Sequence, residues 1–143
     1  MAHMLEPLLN PASIAIIGAS DNPGRIGGMP IDLLVRFGYA GAVYPVNPKY
    51  ENVFGLRCYR QVEDLPEGID LAVLAIAAED VTAMLKRCHA RGIRAAIVYA
   101  AGFAEAGESG AALQDVMEAY VRDSGMLVAL SLIHISEPTR RAI

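Results

Sequence analysis

Residues 13–28, SIAIIGASDNPGRIGG, decide the fold that this sequence encodes. The apolar run Ser13–Ile17 is short and stops at Gly18, which is typical of a buried strand. A loop of small and turn-forming residues follows, and beyond it apolar residues recur at helical spacing as far as Phe37. A strand, a glycine-containing loop and a helix therefore open the folded part of the chain.

Strands and helices continue to alternate after this opening. The apolar pattern predicts further strands at 42–46, 70–76, 94–99 and 126–130, and helices at 79–91 and 108–124. Residues 53–60 are ambiguous, and 61–65 favour a single helical turn. This alternation predicts the α/β class, in the form of a Rossmann-like, doubly wound parallel sheet with helices on both faces. Ligands bind to such sheets beyond the carboxyl ends of the strands, where the strand order reverses.

The composition fits one domain built around a sheet that is buried on both faces. Of the 143 residues, 54% are hydrophobic but only 6% are aromatic, and Trp is absent. Ala, Val, Ile and Leu must therefore fill the core, as is usual beneath helices on both sides of a parallel sheet. In the last helix, the positions expected to face this core are Leu113, Val116, Met117, Tyr120 and Val121.

Charge and apolar run length exclude several classes of function. The net charge is −4 and no basic stripe with interleaved aromatics is visible, so we expect no nucleic-acid partner. The longest apolar runs, such as 71–78, are too short to span a membrane, and no signal peptide is visible at the start. Cys58 and Cys88 are isolated, without metal-ligand spacing, which indicates reduced thiols in a cytoplasmic protein.

The two ends of the sequence look foreign to this pattern. Residues 1–3, MAH, precede a second Met and resemble the residues left by an expression vector. Residues 131–143, SLIHISEPTRRAI, break the preceding pattern and resemble translated adapter sequence. We therefore expect the domain to span 5–130 and the tail to be non-native.

The loop after the first strand has the chemistry of a phosphate-binding turn. In such loops backbone N–H groups and the positive end of the next helix face an anion. The dinucleotide fingerprint requires glycines at its first, third and sixth positions. Counted from Gly18, the third residue is Ser20 and the sixth is Pro23, so the fingerprint is not matched. A tight turn that only packs helix against strand is the alternative.

The loop after the second strand indicates which nucleotide the site favours. Folds that bind NAD commonly carry an acidic residue there to hold the ribose hydroxyls. Here residues 45–49 read PVNPK, and no carboxylate precedes Glu51. Lys49 instead offers a cation, which suits a phosphorylated ribose or a pyrophosphate. A solvated surface lysine is the alternative.

A third loop of small residues, AAGFAEAG, occupies 100–107 and would let a ligand or another backbone approach closely. Glu105 in this loop is expected to sit at the start of the next helix, where negative charge is favoured, rather than to act as a base. His89 lies near a helix C-terminus among basic residues, which is a favourable place for a cation. We therefore assign no catalytic residue and no metal site.

Together these loops resemble the CoA-binding domain of the NDP-forming acyl-CoA synthetases. That family includes the ADP-forming acetate–CoA ligases and the succinyl-CoA synthetase α subunit. The matching stretches are IIGAS at 16–20 with Pro23 and Gly27, VYPVNPK at 43–49, GLRCY at 55–59, LP at 65–66 with ID at 69–70, and AGFAE at 101–105. In this order they are specific, and the similarity runs from about Leu5 to Leu130.

The resemblance implies where coenzyme A would lie. The residues that would line its phosphates are Gly18, Ala19, Ser20 and Asp21, and Lys49 would pair with one phosphate. The residues that would lie along the pantetheine are Ala100, Ala101 and Gly102. Two departures from the family pattern affect the part of the pocket along the pantetheine. The family often has Pro where this chain reads IAA at 76–78, and often has Ser at the place of Ala100.

The family makes acyl-CoA from a carboxylic acid, CoA and ATP through a phosphohistidine. That histidine, and the ATP-grasp domain that holds ATP and Mg, belong to other domains or subunits of the enzyme. The resemblance therefore implies CoA and those ligase and ATP-grasp domains as partners, with no acyl-CoA synthesis by this chain alone. The alternatives are a free-standing CoA-binding protein, an NAD(P)-binding oxidoreductase domain, which the missing fingerprint disfavours, and a fusion to a lysine acetyltransferase domain.

Overall fold

The computed structural model of the protein describes residues 11–22, 27–36, 38–100 and 107–132. Its elements in chain order are β1 (Ser13–Ile17), α1 (Met29–Arg36), β2 (Ala42–Val46), β3 (Asn52–Val53), β4 (Leu56–Arg57), a 3-10 helix (Val62–Asp64), β5 (Leu71–Leu74), α2 (Ala78–Ala90), β6 (Ala95–Ala100), α3 (Glu108–Ser124) and β7 (Leu127–Leu132). Five strands form one sheet in the order β2-β1-β5-β6-β7, and every neighbouring pair is parallel. The predicted α/β class and its doubly wound parallel sheet are confirmed.

The strand order reverses at β1. Strand β2 lies on one side of β1, whereas β5, β6 and β7 follow one another on the other side. The helix after β1 packs on one face of the sheet, and the helix after β5 packs on the opposite face. The connections that leave β1 and β5 therefore separate at their carboxyl ends. Such a reversal opens the crevice in which ligands of this fold class bind.

Alternate residues of the central strands contribute to two separate cores. In β1, Ile14 and Ile16 pack on the α1 side, whereas Ala15 and Ile17 pack on the side of α2 and α3. All four residues of β5, LAVL, are buried. Because both faces of these strands are covered, they need continuous apolar runs rather than alternation, and such runs are what mark them in the sequence.

The helices follow the predicted ranges closely. Pro30 lies in the first turn of α1, where its missing N–H costs no intrahelical hydrogen bond. Helix α2 buries Val81, Leu85 and Cys88 on one face. Helix α3 has the predicted bounds and ends at Gly125, whose φ is +77°. Among the helices of the described ranges, none has the length and apolarity needed to cross a membrane.

Two local features were not anticipated from the sequence. A small antiparallel hairpin of β3 and β4 begins at Asn52 and continues into the ambiguous stretch 53–60. The prediction that Val116 faces the core is wrong, because this side chain is 56% exposed while its neighbour Met117 is buried. Helix α3 lies near the edge of the sheet and therefore buries a narrower stripe than its apolar residues suggest.

Strand β7 extends beyond the expected domain end at 130. Ser131 and Leu132 continue the ladder and pair with Tyr99 and Ala100 of β6. The ordered strand thus includes the first part of the stretch 131–143. Residues 133–143 and 1–3, whose foreign origin the sequence suggests, lie outside the described residues.

An ion pair joins the 3-10 helix to α2. The Nε and Nη2 groups of Arg87 donate to the two carboxylate oxygens of Glu63 at 2.8 and 2.6 Å. The hydrogen bonds from Arg87 hold the pKa of Glu63 at about 2, below its ordinary value of 4.5. Both side chains are more than two-fifths exposed, so solvent screens the pair and its net contribution to stability is small, at most about 1 kcal/mol.

The core assignment predicts a large stability loss at Leu85 and almost none at Val116. Leu85→Ala should lower the free energy of unfolding by about 2–5 kcal/mol, because it leaves a cavity beneath α2. Val116→Ala removes a mostly exposed side chain and should change it by less than about 0.5 kcal/mol. Urea unfolding of both variants measures this difference. Similar losses in the two variants would contradict the described packing of the helices.

The ion pair predicts a stability difference that depends on pH. The depressed pKa of Glu63 means that its ionised form stabilises the fold above about pH 4.5 and loses this effect as the pH falls toward 2. Glu63→Gln should therefore be less stable than wild type at pH 7, by less than about 1 kcal/mol. The difference should shrink below pH 4.5. Asp64→Asn, which removes the same charge one residue later, is the control; an equal pH profile in both variants would argue against the pair.

Candidate functional site

The turn after β1 lies where the strand order reverses and requires glycine. Gly18 has φ +83°, a conformation that side chains disfavour. A Cβ placed on Gly18 would lie 2.3 Å from the carbonyl oxygen of Ala75, the residue after β5. A Cβ on Gly27 would lie 2.0 Å from the carbonyl oxygen of Gly18. These two glycines therefore let the ends of β1 and β5 and the start of α1 come together backbone to backbone.

The first N–H groups of this turn are already committed within the protein. Gly18 and Ala19 both donate to the carbonyl of Val46, at 3.0 and 3.1 Å, and Ser20 donates to the carbonyl of Gly27 at 3.1 Å. These bonds tie the loop to the end of β2 and to the start of α1. These three N–H groups are therefore not available to an anion, and the role of the loop in lining phosphates stays a prediction.

Two side chains of the same loop also make structural contacts. The buried Ser20 accepts a hydrogen bond on its Oγ from the N–H of Asn22 at 3.2 Å. Asp21 accepts the N–H of Phe54 at 2.8 Å, and Phe54 has a positive φ of +49° in the hairpin turn. The carboxylate of Asp21 thus holds the hairpin against the glycine loop. Its place beside the phosphates stays a prediction, and its negative charge gives no attraction for them.

Asn47 connects three segments at this edge, and the sequence analysis missed it. Its Nδ2 donates to the carbonyl of Ala19 at 2.8 Å, and its backbone N–H donates to the carbonyl of Tyr59 at 2.8 Å. Its Oδ1 accepts the N–H of Lys49 at 2.9 Å. An Asn directly after a strand and before Pro48 is a signal for a turn of this kind, in which the side chain caps a nearby backbone N–H. Lys49 is exposed, and this turn fixes where its side chain leaves the backbone.

A cleft of about 380 Å³ opens beyond the carboxyl ends of β1 and β2 and beside the segment after β5. The residues that line it are Ile17, Gly18, Val46, Asn47, Pro48, Arg60, Gln61, Val62, Ile76, Met84 and Arg87. Its walls are mainly aliphatic, and its charged groups are two guanidinium groups from different elements. Lys49 follows the cleft-lining Pro48 directly in the chain. The position of the cleft at the reversal of strand order is the one expected for a ligand site in this fold.

Besides Asn47, three polar cleft residues were not identified from the sequence: Arg60, Gln61 and Arg87. Arg60 and Gln61 follow the hairpin in a segment without a clear pattern, and Arg87 lies on a helix more than twenty residues away in the chain. No local motif connects them. The folded topology alone brings them to the same edge as the glycine loop.

The remaining predicted residues fall partly outside the structure. Ala100 ends β6 and pairs with Leu132, whereas Ala101, Gly102 and Glu105 lie outside the described residues. His89 packs edge-to-face against Tyr120, away from the cleft. Burial raises the pKa of the Cys58 thiol and raises that of Cys88 to about 12. Within the described residues no group of His, Cys, Asp and Glu side chains could hold a metal ion.

Comparison with known proteins identifies a family for this arrangement. A family model described as CoA binding domain matches residues 12–132. A trans-feruloyl-CoA synthase from an unidentified prokaryote is 43% identical over 126 residues, which is 88% of this chain and 18% of that protein. The α subunit of an ADP-forming acetate–CoA ligase from Pyrococcus furiosus is 34% identical over 128 residues, 87% of this chain and 28% of the subunit.

A solved structure gives the same result for the fold. The dinucleotide-forming acetyl-coenzyme A synthetase 1 of Ca. Korarchaeum cryptofilum, in complex with phosphate and ADP, superposes with a TM-score of 0.79 at 35% sequence identity. The match covers 87% of this chain and 26% of that one. The chain thus spans less than a third of the length of each of these relatives. It belongs to the CoA binding domain family and is homologous to part of the ADP-forming acyl-CoA synthetases.

Proposed function

We propose that this chain is the CoA-binding part of an acyl-CoA synthetase and that the nucleotide end of CoA lies in the cleft at the reversal of strand order. The observation that carries this proposal is the coincidence of three features at one edge: the glycine turn, the aliphatic cleft and its cations. The aliphatic walls suit a planar base, and the cations suit its phosphates. Membership of the CoA binding domain family supports the same ligand.

The end of β2 favours CoA over a nicotinamide dinucleotide. Asn47 occupies the place where an NAD-binding fold commonly presents a carboxylate to the ribose hydroxyls, and both ends of its amide are engaged by backbone groups. Lys49 lies just beyond it, at an exposed position. A cation at this point attracts the ribose 3′-phosphate, which CoA has and NAD lacks.

The whole reaction requires more than this chain supplies. In the proposed enzyme a carboxylic acid, CoA and ATP yield acyl-CoA, and the ATP and Mg are held by ligase and ATP-grasp domains. The part of this chain is to hold CoA by its nucleotide so that the thiol reaches those domains. The segment 100–102 would lie along the pantetheine, as the family resemblance implies.

The proposed ligand can be tested directly by isothermal titration calorimetry of this chain with CoA, dephospho-CoA and NAD. We expect CoA to bind and NAD to give no saturable heat, because the site offers cations and no carboxylate for the ribose. Dephospho-CoA, which lacks only the ribose phosphate, is the matched control ligand. Preference for NAD over CoA would overturn the proposal.

Lys49 is predicted to contact a phosphate of CoA. One charge-assisted contact contributes about 1.5–3 kcal/mol, so Lys49→Ala should weaken CoA binding by about ten- to a hundred-fold. Lys49→Glu should weaken it further, since an attraction becomes a repulsion, and both losses should shrink as salt rises.

The matched control for Lys49 is Lys86→Ala. Lys86 lies on α2 with its Nζ 5.6 Å from the ring centre of Tyr120, and it does not line the cleft. Its removal should leave the CoA affinity unchanged. If Lys49→Ala at low salt also retains full affinity, Lys49 is a solvated surface residue and does not belong to the site.

A further inference from the structure

We propose that Arg60 and Arg87 form an anion subsite on the α2 side of the cleft, which binds a phosphate group of the nucleotide end of CoA. This inference rests on the proposed function and adds residues that neither the sequence motifs nor the family resemblance indicate. Both side chains line the same cleft. They reach it from different elements, Arg60 from the segment before the 3-10 helix and Arg87 from α2.

The need for such a subsite follows from the hydrogen bonds of the glycine loop. In many nucleotide-binding folds, the backbone N–H groups of this loop neutralise a phosphate. Here the N–H groups of Gly18, Ala19 and Ser20 donate to protein carbonyls. These three groups are therefore not free to bind a phosphate in the cleft, and the charged residues among those that line it are the two arginines.

Arg87 is held in an orientation that leaves donors available. Its Nε and Nη2 groups bind the two oxygens of Glu63 side-on. Its Nη1 makes no hydrogen bond with any residue that the structure describes. A guanidinium has five N–H donors in a fixed plane, so one edge can bind Glu63 while the other faces the cleft. Glu63 thus acts as a positioning residue for Arg87.

Arg60 is exposed and has no ion pair or hydrogen bond within the described ranges. Two other arginines, Arg57 and Arg91, do have partners within the fold. The guanidinium of Arg57 lies 4.8 Å from the ring centre of Tyr59, and Arg91 donates to the carbonyl of Leu65. Arg60 is therefore a cation at the cleft that the fold itself does not use.

The charged side chains on the α2 side of the cleft favour an anion. Arg60 and Arg87 carry two positive charges and Glu63 one negative charge, which leaves a net charge of +1 beside aliphatic walls. Apolar surroundings strengthen the attraction between a guanidinium and a phosphate, and the planar fork of Arg matches phosphate oxygens better than an ammonium does. Two sources of this phosphate exist in CoA, the ribose 3′-phosphate and the pyrophosphate.

The test is calorimetric titration of the full chain with CoA and with dephospho-CoA, for Arg60→Ala, Arg87→Ala and the control Arg94→Ala. Arg94 is an exposed arginine directly before β6, at the amino ends of the strands, whereas the cleft lies at their carboxyl ends. We expect each cleft variant to lose about tenfold or more in CoA affinity and Arg94→Ala to lose none. Arg60→Ala removes no hydrogen bond or ion pair among the described residues, so we do not expect it to unfold the protein.

The dephospho-CoA arm identifies the phosphate. If the subsite holds the ribose 3′-phosphate, Arg60→Ala should not weaken dephospho-CoA binding further. If it holds the pyrophosphate, the variant should weaken both ligands by the same factor. Either result supports the subsite.

Three results would count against the inference in distinguishable ways. Full CoA affinity in both cleft variants, with wild type binding CoA, overturns the subsite alone. A loss confined to one variant overturns the pair and assigns the contact to that arginine. No CoA binding by wild type overturns the proposed function and the subsite with it.

Discussion

The carbonyl of Val46 accepts two hydrogen bonds, from the N–H groups of Gly18 and Ala19, and this contact determines how β1 turns over the end of β2. It is possible because Gly18 adopts a positive φ while its α-carbon packs against the carbonyl of Ala75. A side chain there would push the ends of β1 and β5 apart. The geometry of this edge of the sheet therefore depends on Gly18, which has no side chain.

This turn has a chemical consequence. Because the N–H groups of Gly18, Ala19 and Ser20 fix the loop, these three groups are not available to an anion. The polar side chains nearest to it, Ser20, Asp21 and Asn47, are likewise engaged in joining the loop to its neighbours. Ser20, Asp21 and Asn47 therefore stabilise the fold at this edge. The side chains proposed to bind the ligand are different ones, the long side chains of Arg60 and Arg87 from the surrounding segments.

The fold was accessible from sequence because its strands are buried on both faces. The continuous apolar runs at β1 and β5 and the regular spacing of α3 leave few alternatives. The misplacement of Val116 arises because a helix pattern does not reveal how wide a stripe its neighbours cover. The hairpin of β3 and β4 has strands too short to produce a pattern.

The site was accessible only in part. The cleft-lining Gly18 is marked by its place between a strand and a helix. Lys49, marked by the end of the second strand, follows the cleft-lining Pro48, and its role in the site stays a prediction. Asn47 before Pro48 carries the signal of a turn, but its link to Ala19 depends on how β2 lies beside β1. Arg60 and Arg87 carry no local signal, since their proximity is a property of the topology. Sequence patterns indicate burial and turns, but they do not indicate whether an exposed arginine lies at a binding site or elsewhere on the surface.

The pairing of Arg87 with Glu63 bears on how such a cleft binds a phosphate. A free arginine loses side-chain entropy when it binds, of the order of 1–2 kcal/mol, which reduces the gain from the contact. Arg87 loses much of that freedom on folding, because Glu63 already holds its Nε edge. Arg60 has no such partner and must become ordered with the ligand. In the proposed subsite, Arg87 is thus a pre-oriented hydrogen-bond donor to the phosphate, whereas Arg60 becomes ordered only when the phosphate binds.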